Sequence, residues 1–282
     1  MQDIALAPGE VRIGTSGWSY DDWRGVLYPP GTPASRRLEV YAESFDTVEL
    51  NASFYHWPHA DTFRAWRDRV PAGFLMTVKA PRGLTHARRL DAPEEWSARL
   101  DEGLSALGDR CGLLLLQLPP DLARDDERLV RTLRAMPAGA RVAVELRHPS
   151  WLHDDVFSLL ERHRTCYCIM SGAHLPCELR VTAETVYVRF HGPEPQQLYV
   201  GSYSDDALGR WAQRIVGWRS AGHSVVCYFN NDGAGNAVRD ARRLLALVSA
   251  AAGIVDRRGD VLVRPDGVEH DTRGIVGPRD RM

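Results

Sequence analysis

Eight short apolar segments recur along the chain, and most follow a segment whose apolar residues repeat with helical spacing. Asp and Pro stand at several predicted helix starts, and Gly follows several ends, as is typical of helix boundaries. Strands that alternate with helices in this way indicate a parallel sheet. The predicted strands cover residues 11–17, 47–51, 74–80, 113–119, 141–147, 166–172, 185–192 and 225–231.

The number of these units predicts a closed barrel. Eight strand–helix units within roughly 250 residues fit a single α/β domain of the (β/α)8 TIM type, which we place at residues 1–252. A doubly wound open sheet usually carries a glycine-rich nucleotide-binding turn after its first strand, and "GTSGWSYDDW" lacks that pattern. The unit between strands six and seven is expected to be irregular, because "AHLPCELRVTAE" is short for a helix.

The end of the chain differs in composition from the predicted barrel. Residues 253–282 are rich in charge and glycine, and "VLVRPDGVEH" is compatible with a small hairpin around Pro-Asp-Gly. We expect this segment to be a mobile extension that is loosely attached to the barrel.

Side chains in a strand alternate between two faces, so the sequence predicts which positions point into the barrel. In each predicted strand one face is apolar and suited to packing on helices, and the other ends in a polar residue. Strand two, for example, sets Val48 and Leu50 against Glu49 and Asn51. The last residues of the strands lie at the C-terminal end of the barrel, which we call the mouth and where TIM barrels bind their ligands. Burying charges there costs several kcal/mol unless they are paired, so their convergence indicates a site.

These late polar positions and the loops after them define the predicted site. The candidate catalytic residues are Lys79, Glu49 and Glu145. The candidate ligand-binding residues are Ser16, Trp18, Tyr20, Asn51, Tyr55, His86, Gln117, Arg147, His148, Arg189, His191, Tyr228, Asn230 and Asn231. The alternative interpretation is a charge-balanced network that only fills the centre of the barrel.

Composition strengthens the prediction of a site. Lys79 is the only lysine among 35 basic residues, and the four asparagines all fall at the predicted mouth or its rim. A residue kept against such a bias is a candidate for a position where its substitute fails chemically, and the alternative is survival by chance. An ammonium group loses its proton on burial far more readily than a guanidinium. A neutral amine acts as a base or forms a Schiff base, whereas a charged one holds phosphate or carboxylate, and the sequence leaves both open.

Other side chains near the mouth suggest further chemistry. Glu49 and Glu145 are a candidate carboxylate pair for acid–base catalysis. Three histidines together with these carboxylates could bind a divalent metal, although no HxxxH or CxxC spacing supports such a site. No cofactor is assigned. Aromatic residues in the loops after strands one and two are suited to stacking on a sugar or a base. The histidines are His86, His148 and His191, and the aromatic residues include Trp18, Tyr20 and Tyr55.

Bulk properties exclude some classes of protein. A net charge of −2 and a pI near 6.6 argue against a protein that coats nucleic acid. The longest apolar run, "LLLL", is too short to cross a membrane. The N-terminus has no signal-peptide pattern, and the five cysteines lack CxxC spacing, so we expect reduced thiols and a cytoplasmic location. The oligomeric state stays open.

Several motifs, in order over residues 11–250, resemble a known family. They include "GTSGWSYDDWRGVLYP", "FDTVELNASFYHWP", "FLMTVKAPRGLTH", "VELRHPSW", "VYVRFHG" and "CYFNNDGAGNAVRDARRL". The chain is similar to the uncharacterised family called domain of unknown function seventy-two, also known as YecE-like. The resemblance implies a TIM barrel but no reaction. The family's barrel is similar to those of endonuclease IV and sugar isomerases, which use metals at the same mouth, and this is an analogy of fold.

The leading hypothesis is an enzyme that acts on a small anionic or polyhydroxylated ligand, similar to a sugar phosphate. Basic residues would hold the anion, Glu49 or Glu145 would move a proton, and neutral polar residues would orient the ligand. The first alternative is a nucleic-acid-binding or processing protein like endonuclease IV, which the acidic residues at the mouth disfavour. The second is a non-catalytic module whose polar centre is structural. The anion-holding residues are Lys79, Arg147 and Arg189, and the orienting residues are Asn51, Gln117, His191 and Asn230.

Overall fold

A computed structural model describes residues 6–253, and within them eight strands pair in chain order to form a closed barrel. Every neighbouring pair is parallel, including the first strand with the last. The predicted (β/α)8 TIM-type barrel is therefore confirmed. The strands are β1 (Val11–Ser16), β2 (Thr47–Leu50), β3 (Leu75–Lys79), β4 (Cys111–Gln117), β5 (Val142–Glu145), β6 (Cys166–Ser171), β7 (Thr185–Phe190) and β8 (Ser224–Phe229).

Helices surround the barrel and connect most of its strands. Short 3-10 turns and one π turn, over Gly83–Ala87, complete several connections on the side of the mouth. Within the described chain no helix separates β6 from β7, which confirms the predicted irregularity there. The α-helices are α1 (Arg37–Ser44), α2 (Ala52–Tyr55), α3 (Ala60–Arg67), α4 (Glu94–Leu107), α5 (Asp126–Ala135), α6 (Asp154–Arg162), α7 (Asp205–Ser220) and α8 (Asn236–Ala251).

Two apolar layers position the site. The outer faces of the strands pack on the helices through residues such as Val48, Val144 and Val188. The inner faces form a separate column that fills the lower barrel, with Leu113 and Leu115 among its members. The mouth above this column is therefore the part of the interior where buried polar groups gather, as the alternation of strand residues predicted.

Within residues 6–253, none of the helices is long and apolar enough to cross a membrane. The predicted extension, residues 253–282, lies outside the described residues apart from Gly253, and its mobility stays a prediction.

A tyrosine of α1 joins the first two strands at the point where their regular pairing begins. The Tyr41 hydroxyl donates to the Thr47 carbonyl at 2.9 Å and accepts from the Thr15 N–H at 3.0 Å. Gly14 is required beside it, because a Cβ there would lie 2.3 Å from the Thr47 carbonyl oxygen. One buried hydroxyl thus satisfies two backbone groups of different strands.

Replacing Tyr41 by phenylalanine is expected to lower the free energy of unfolding by about 1–3 kcal/mol, because a buried donor and a buried acceptor lose their partner. Urea denaturation measures the change. Tyr55→Phe is the matched control, because Tyr55 is 81% exposed and its hydroxyl should contribute less than about 0.5 kcal/mol. Equal effects of the two substitutions would contradict this role of Tyr41.

Candidate functional site

Arg189 lies at the centre of the mouth, where its guanidinium joins two carboxylates from different strands. Its Nε and Nη2 donate to both oxygens of Glu49, on β2, at 3.0 and 2.7 Å. Its Nη1 donates to Oε2 of Glu145, on β5. All three side chains are completely buried. Burial is the largest single influence and would raise the pKa of each carboxyl, but attraction to Arg189 together with the neighbouring hydrogen-bond donors and charges lowers both pKa values.

The remaining hydrogen bonds of Glu49 come from neighbouring strands. The Tyr187 hydroxyl, on β7, donates to Oε2 at 2.5 Å. The Ser16 hydroxyl, at the end of β1, donates to Oε1 and in turn accepts from Asn51 Nδ2 at 2.7 Å. Glu49 is therefore held as an ionised acceptor, with donors around both of its oxygens.

Glu145 is held in a similar way on the other side of Arg189. Gln117 Nε2, at the end of β4, donates to Oε1 at 2.7 Å, and Arg147 Nε donates to the same oxygen at 2.6 Å. Arg147 also donates through Nη2 to the Tyr199 hydroxyl at 3.2 Å. Two guanidinium groups and two carboxylates thus make a network without net charge.

Lys79 ends β3 beside this network but stands apart from it. Its Nζ lies 4.0 Å from the centre of the Phe54 ring, a cation–π contact, and within residues 6–253 no carboxylate pairs with it within 4.0 Å. Burial, together with repulsion from Arg189, lowers the pKa of Lys79 from 10.5 to about 7, although the nearby carboxylates oppose the shift. The amine is thus partly neutral around pH 7.

His86 belongs to the same side of the mouth. Its ring meets the Phe54 ring edge-on at 5.0 Å between centroids, and its Nδ1 is 2.9 Å from the Thr85 hydroxyl. Burial and the positive charge of Lys79 lower the pKa of His86 to about 4, so its imidazole is neutral at physiological pH. Lys79 is therefore the group of this pair that titrates near neutrality.

Several buried polar atoms around the mouth have no hydrogen-bond partner in the described part of the chain. His191 is completely buried, and neither of its ring nitrogens has a partner, since Nε2 is 3.6 Å from Glu145 Oε2. Burial lowers the pKa of His191 to about 4, so the ring is neutral, with one donor and one acceptor nitrogen. Buried polar groups are normally paired, so these atoms call for a ligand or ordered water. The others at the mouth are Asn51 Oδ1 and Asp232 Oδ1.

Some predicted ligand-binding residues lie within the barrel or its frame rather than at the mouth. Tyr228 is completely buried below the mouth, and its hydroxyl lies 2.7 and 2.8 Å from the hydroxyls of Thr47 and Thr77. Asn231 Nδ2 donates to Asp240 Oδ2 at 2.9 Å and thereby ties the end of β8 to α8. Asn230 follows β8 directly and is 9% exposed, as predicted for a residue at the rim.

The predicted site residues in the loops also differ in their surroundings: some pack against the protein, and one is exposed. Tyr20 turns back over β1, and its hydroxyl donates to the Ser16 carbonyl at 2.7 Å. Trp18 packs edge-on against Trp66 of α3, with 5.4 Å between ring centroids, and this contact is structural. Tyr55 is exposed to solvent.

Of the three histidines of the metal hypothesis, only His191 lies within 4.0 Å of a carboxylate in the described chain, with Nε2 3.6 Å from Glu145 Oε2. His148 Nδ1 lies 2.8 Å from the Ser150 hydroxyl at the start of a 3-10 turn, whereas His86 packs on Phe54. Within residues 6–253 no three His, Cys, Asp or Glu side chains are close enough together to hold a metal ion. The placement of these residues therefore does not support the metal site that the sequence left open.

Sequence reasoning missed three residues of the mouth. Tyr187 shares the inner face of β7 with Arg189, so the alternation of strand residues already indicated it. Asp232 follows the two asparagines after β8, in a glycine-rich turn where no strand alternation indicates the direction of a side chain. Tyr199 lies in the irregular connection after β7, where no periodic signal exists.

A family model described as "Protein of unknown function DUF72" matches residues 12–261, which is most of the chain. The chain belongs to this family. The match includes the first residues of the predicted C-terminal extension, and it confirms the resemblance inferred from the motifs.

Relatives within the DUF72 family agree with the assignment. The UPF0759 protein YunF of Bacillus subtilis (strain 168) is 26% identical over 283 residues, covering 89% of this chain and 99% of that protein. The UPF0759 protein YecE of Escherichia coli (strain K12) is 28% identical over 142 residues, half of each chain.

Solved DUF72 structures share the barrel. A family protein from Thermotoga maritima MSB8 is 26% identical, with a TM-score of 0.75 over 85% of this chain and 99% of that one. Another, from Enterococcus faecalis V583, is 17% identical, with a TM-score of 0.73 over 85% and 95% of the two chains. The second likeness shows the fold alone.

Proposed function

We propose that the protein is an enzyme that binds a small anionic, polyhydroxylated ligand at the mouth, a sugar phosphate being typical of the class, and that Lys79 is its general base. The observation that carries this proposal is one buried lysine, outside any ion pair of the described chain, beside polar atoms that lack partners. A base is most effective when its pKa lies near the working pH, and the pKa of Lys79 is about 7.

The two glutamates have another role in this proposal. Their pKa values are lowered by Arg189, and donors from the protein surround their oxygens, so they stay ionised and hold the guanidinium in place. The Arg189 network taken alone would suit a purely structural centre. Lys79 and the unpaired atoms of His191 and Asn51 favour a site, because a structural plug gains nothing from leaving them unpaired.

Arg147 is the basic group best placed to hold the anion with Lys79. Its Nε and Nη2 already bind Glu145 and Tyr199, whereas its Nη1 has no partner in the described chain. A negative charge beside Lys79 raises the pKa of the amine. Ligand binding therefore shifts Lys79 toward its ammonium form, and the amine acts as a base only at a working pH at or above this raised pKa.

Sulfate binding tests this arrangement, because the charge of sulfate does not change around neutral pH. We expect its affinity to fall as the pH rises above 7, by a factor approaching about tenfold per pH unit, since binding draws a proton onto Lys79. Isothermal titration calorimetry at several pH values measures the affinity. Lys79→Met should remove both the binding and its pH dependence.

Two further variants complete the sulfate experiment. Arg147→Met should weaken binding at every pH, whereas Arg134→Met, an exposed position on α5, should leave it unchanged. Sulfate that binds equally well to the wild-type protein and to Lys79→Met would refute the proposed role of the lysine. Native mass spectrometry of freshly purified protein would reveal any ligand that is retained.

A further inference from the structure

The hydrogen bonds around Glu49 fix the direction of a neighbouring amide. The ionised carboxylate can only accept, so the Ser16 hydroxyl must donate to it. Because the proton of this hydroxyl is used, the Ser16 oxygen acts toward Asn51 only as an acceptor. The Asn51 atom 2.7 Å away must therefore be the amide nitrogen. Asn51 Oδ1 therefore points the other way, and it is buried without a partner in the described chain.

A second unpaired oxygen belongs to Asp232, on the loop after β8. Its Oδ1 is buried without a hydrogen-bond partner, and within residues 6–253 no basic group pairs with this carboxyl. The backbone around it is fixed, because its carbonyl accepts from Trp23 Nε1 at 3.2 Å and from the Gly235 N–H at 3.1 Å. The carboxyl is thus held at the mouth.

Tyr20 lies beside both of these side chains. Its hydroxyl interacts with both the Asn51 amide and the Asp232 carboxyl, but its proton is used by the Ser16 carbonyl, to which it donates at 2.7 Å. We call Tyr20, Asn51 and Asp232 the acceptor corner. It presents two buried oxygens, Asn51 Oδ1 and Asp232 Oδ1, that have no hydrogen-bond partner within residues 6–253. Such a site loses affinity for any ligand that brings no donor.

We propose that the acceptor corner binds hydroxyl groups of the ligand, so that the mouth recognises an anionic polyol with its hydroxyls at Asn51 and Asp232 and its anion at Lys79 and Arg147. This inference rests on the proposed function and adds the orientation of the ligand. Burial raises the pKa of Asp232 to about 7, and the charge of Glu49 acts in the same direction. A carboxyl that is partly protonated both donates and accepts, which matches a hydroxyl better than an ammonium group.

Binding of matched probes to the wild-type protein tests the inference without any mutation. Ribose 5-phosphate should bind at least tenfold more tightly than inorganic phosphate or cyclopentylmethyl phosphate, which has a ring of similar size without hydroxyls. Gluconate compared with hexanoate repeats the test for a carboxylate anion. At least one pair should show the preference. Discrimination in neither pair would overturn the inference, as would tighter binding of phosphoethanolamine, which brings an ammonium group.

The variant Asp232→Leu locates the effect, because leucine has a similar shape and can neither donate nor accept a hydrogen bond. It should reduce the preference for ribose 5-phosphate over inorganic phosphate at least fivefold, with the affinity for inorganic phosphate unchanged within about twofold. Asp206→Leu, the same change at an exposed position of α7, is the control and should keep the preference. An unaltered preference in Asp232→Leu would overturn the assignment. If no anion binds to the wild-type protein, the proposed role of Lys79 fails, whereas anion binding that ignores hydroxyls refutes the acceptor corner and leaves that role standing.

Discussion

Lys79→Met is expected to be more stable than the wild-type protein at pH 7, by on the order of 4 kcal/mol, while losing the proposed anion site. The wild-type chain buries an amine whose pKa is about 7 in the folded state and 10.5 in an exposed chain. Each unit of that difference is about 1.4 kcal/mol, because the unfolded state binds the proton more tightly. Methionine removes this cost and keeps the apolar contact with Phe54.

The dependence on pH gives the prediction a second signature. Because the unfolded state binds more protons, the stability of the wild-type protein should rise between pH 7 and 10.5, and Lys79→Met should lack that contribution. Urea denaturation across this range measures both effects, with Arg134→Met as the matched control. A destabilised Lys79→Met with the wild-type pH dependence would show that the lysine is charged and paired when folded.

The chain also offers a direct measurement of this pKa. Lys79 is its only lysine, so lysine labelled with 13C at Cε gives one resonance that needs no assignment. We expect its chemical shift to titrate with a midpoint near 7 rather than near 10.5. Sulfate should move the midpoint upward, because a bound anion stabilises the ammonium form. Under the proposed function, this gain from anion binding would offset the lower stability of a buried lysine at this position.

Much of the fold and part of the site follow from local patterns. Eight alternating units predicted the barrel, because its strands and helices are regular enough to leave their periods in the sequence. The two-residue period of the strands placed Glu49, Lys79 and Arg189 inside the mouth. These predictions succeeded because strand direction and the position of the core together determine where each side chain points.

The roles of the same residues could not be predicted from local patterns. That Arg189 is shared by Glu49 and Glu145 depends on distances across the closed barrel, which no neighbouring sequence specifies. The pairing lowers the pKa of both glutamates and leaves Lys79, with a pKa of about 7, as the group that the proposed function assigns to proton transfer. Side chains beyond the strand ends were equally unpredictable, because loop conformation directs them: Trp18 packs on a helix, whereas Asp232 faces the mouth.

Arg189→Met is expected to cost about 3–5 kcal/mol or more, the largest loss of stability that we predict. Removing the guanidinium leaves two buried carboxylates, Glu49 and Glu145, with too little positive charge to offset their lost hydration. Arg64→Met is the matched control, because that arginine pairs with Asp61 at the exposed surface and should change stability by less than about 0.5 kcal/mol. Urea denaturation of both variants measures the contrast.

The pH dependence of Arg189→Met distinguishes lost charge compensation from lost packing. In the wild-type protein the pKa values of both carboxyls lie below 4.5, so their contribution to stability is present above that value and disappears as the pH falls through the folded pKa. Without the guanidinium, burial dominates and raises the same pKa values, which reverses the sign. The deficit of Arg189→Met should therefore shrink between neutral pH and about pH 5.

Adding Glu49→Gln and Glu145→Gln to Arg189→Met should recover part of the stability at neutral pH, because the buried charges are then removed. A deficit that is constant with pH and is not rescued would mean that Arg189 acts by filling space, and the guanidinium could no longer be regarded as the charge that keeps Glu49 and Glu145 ionised.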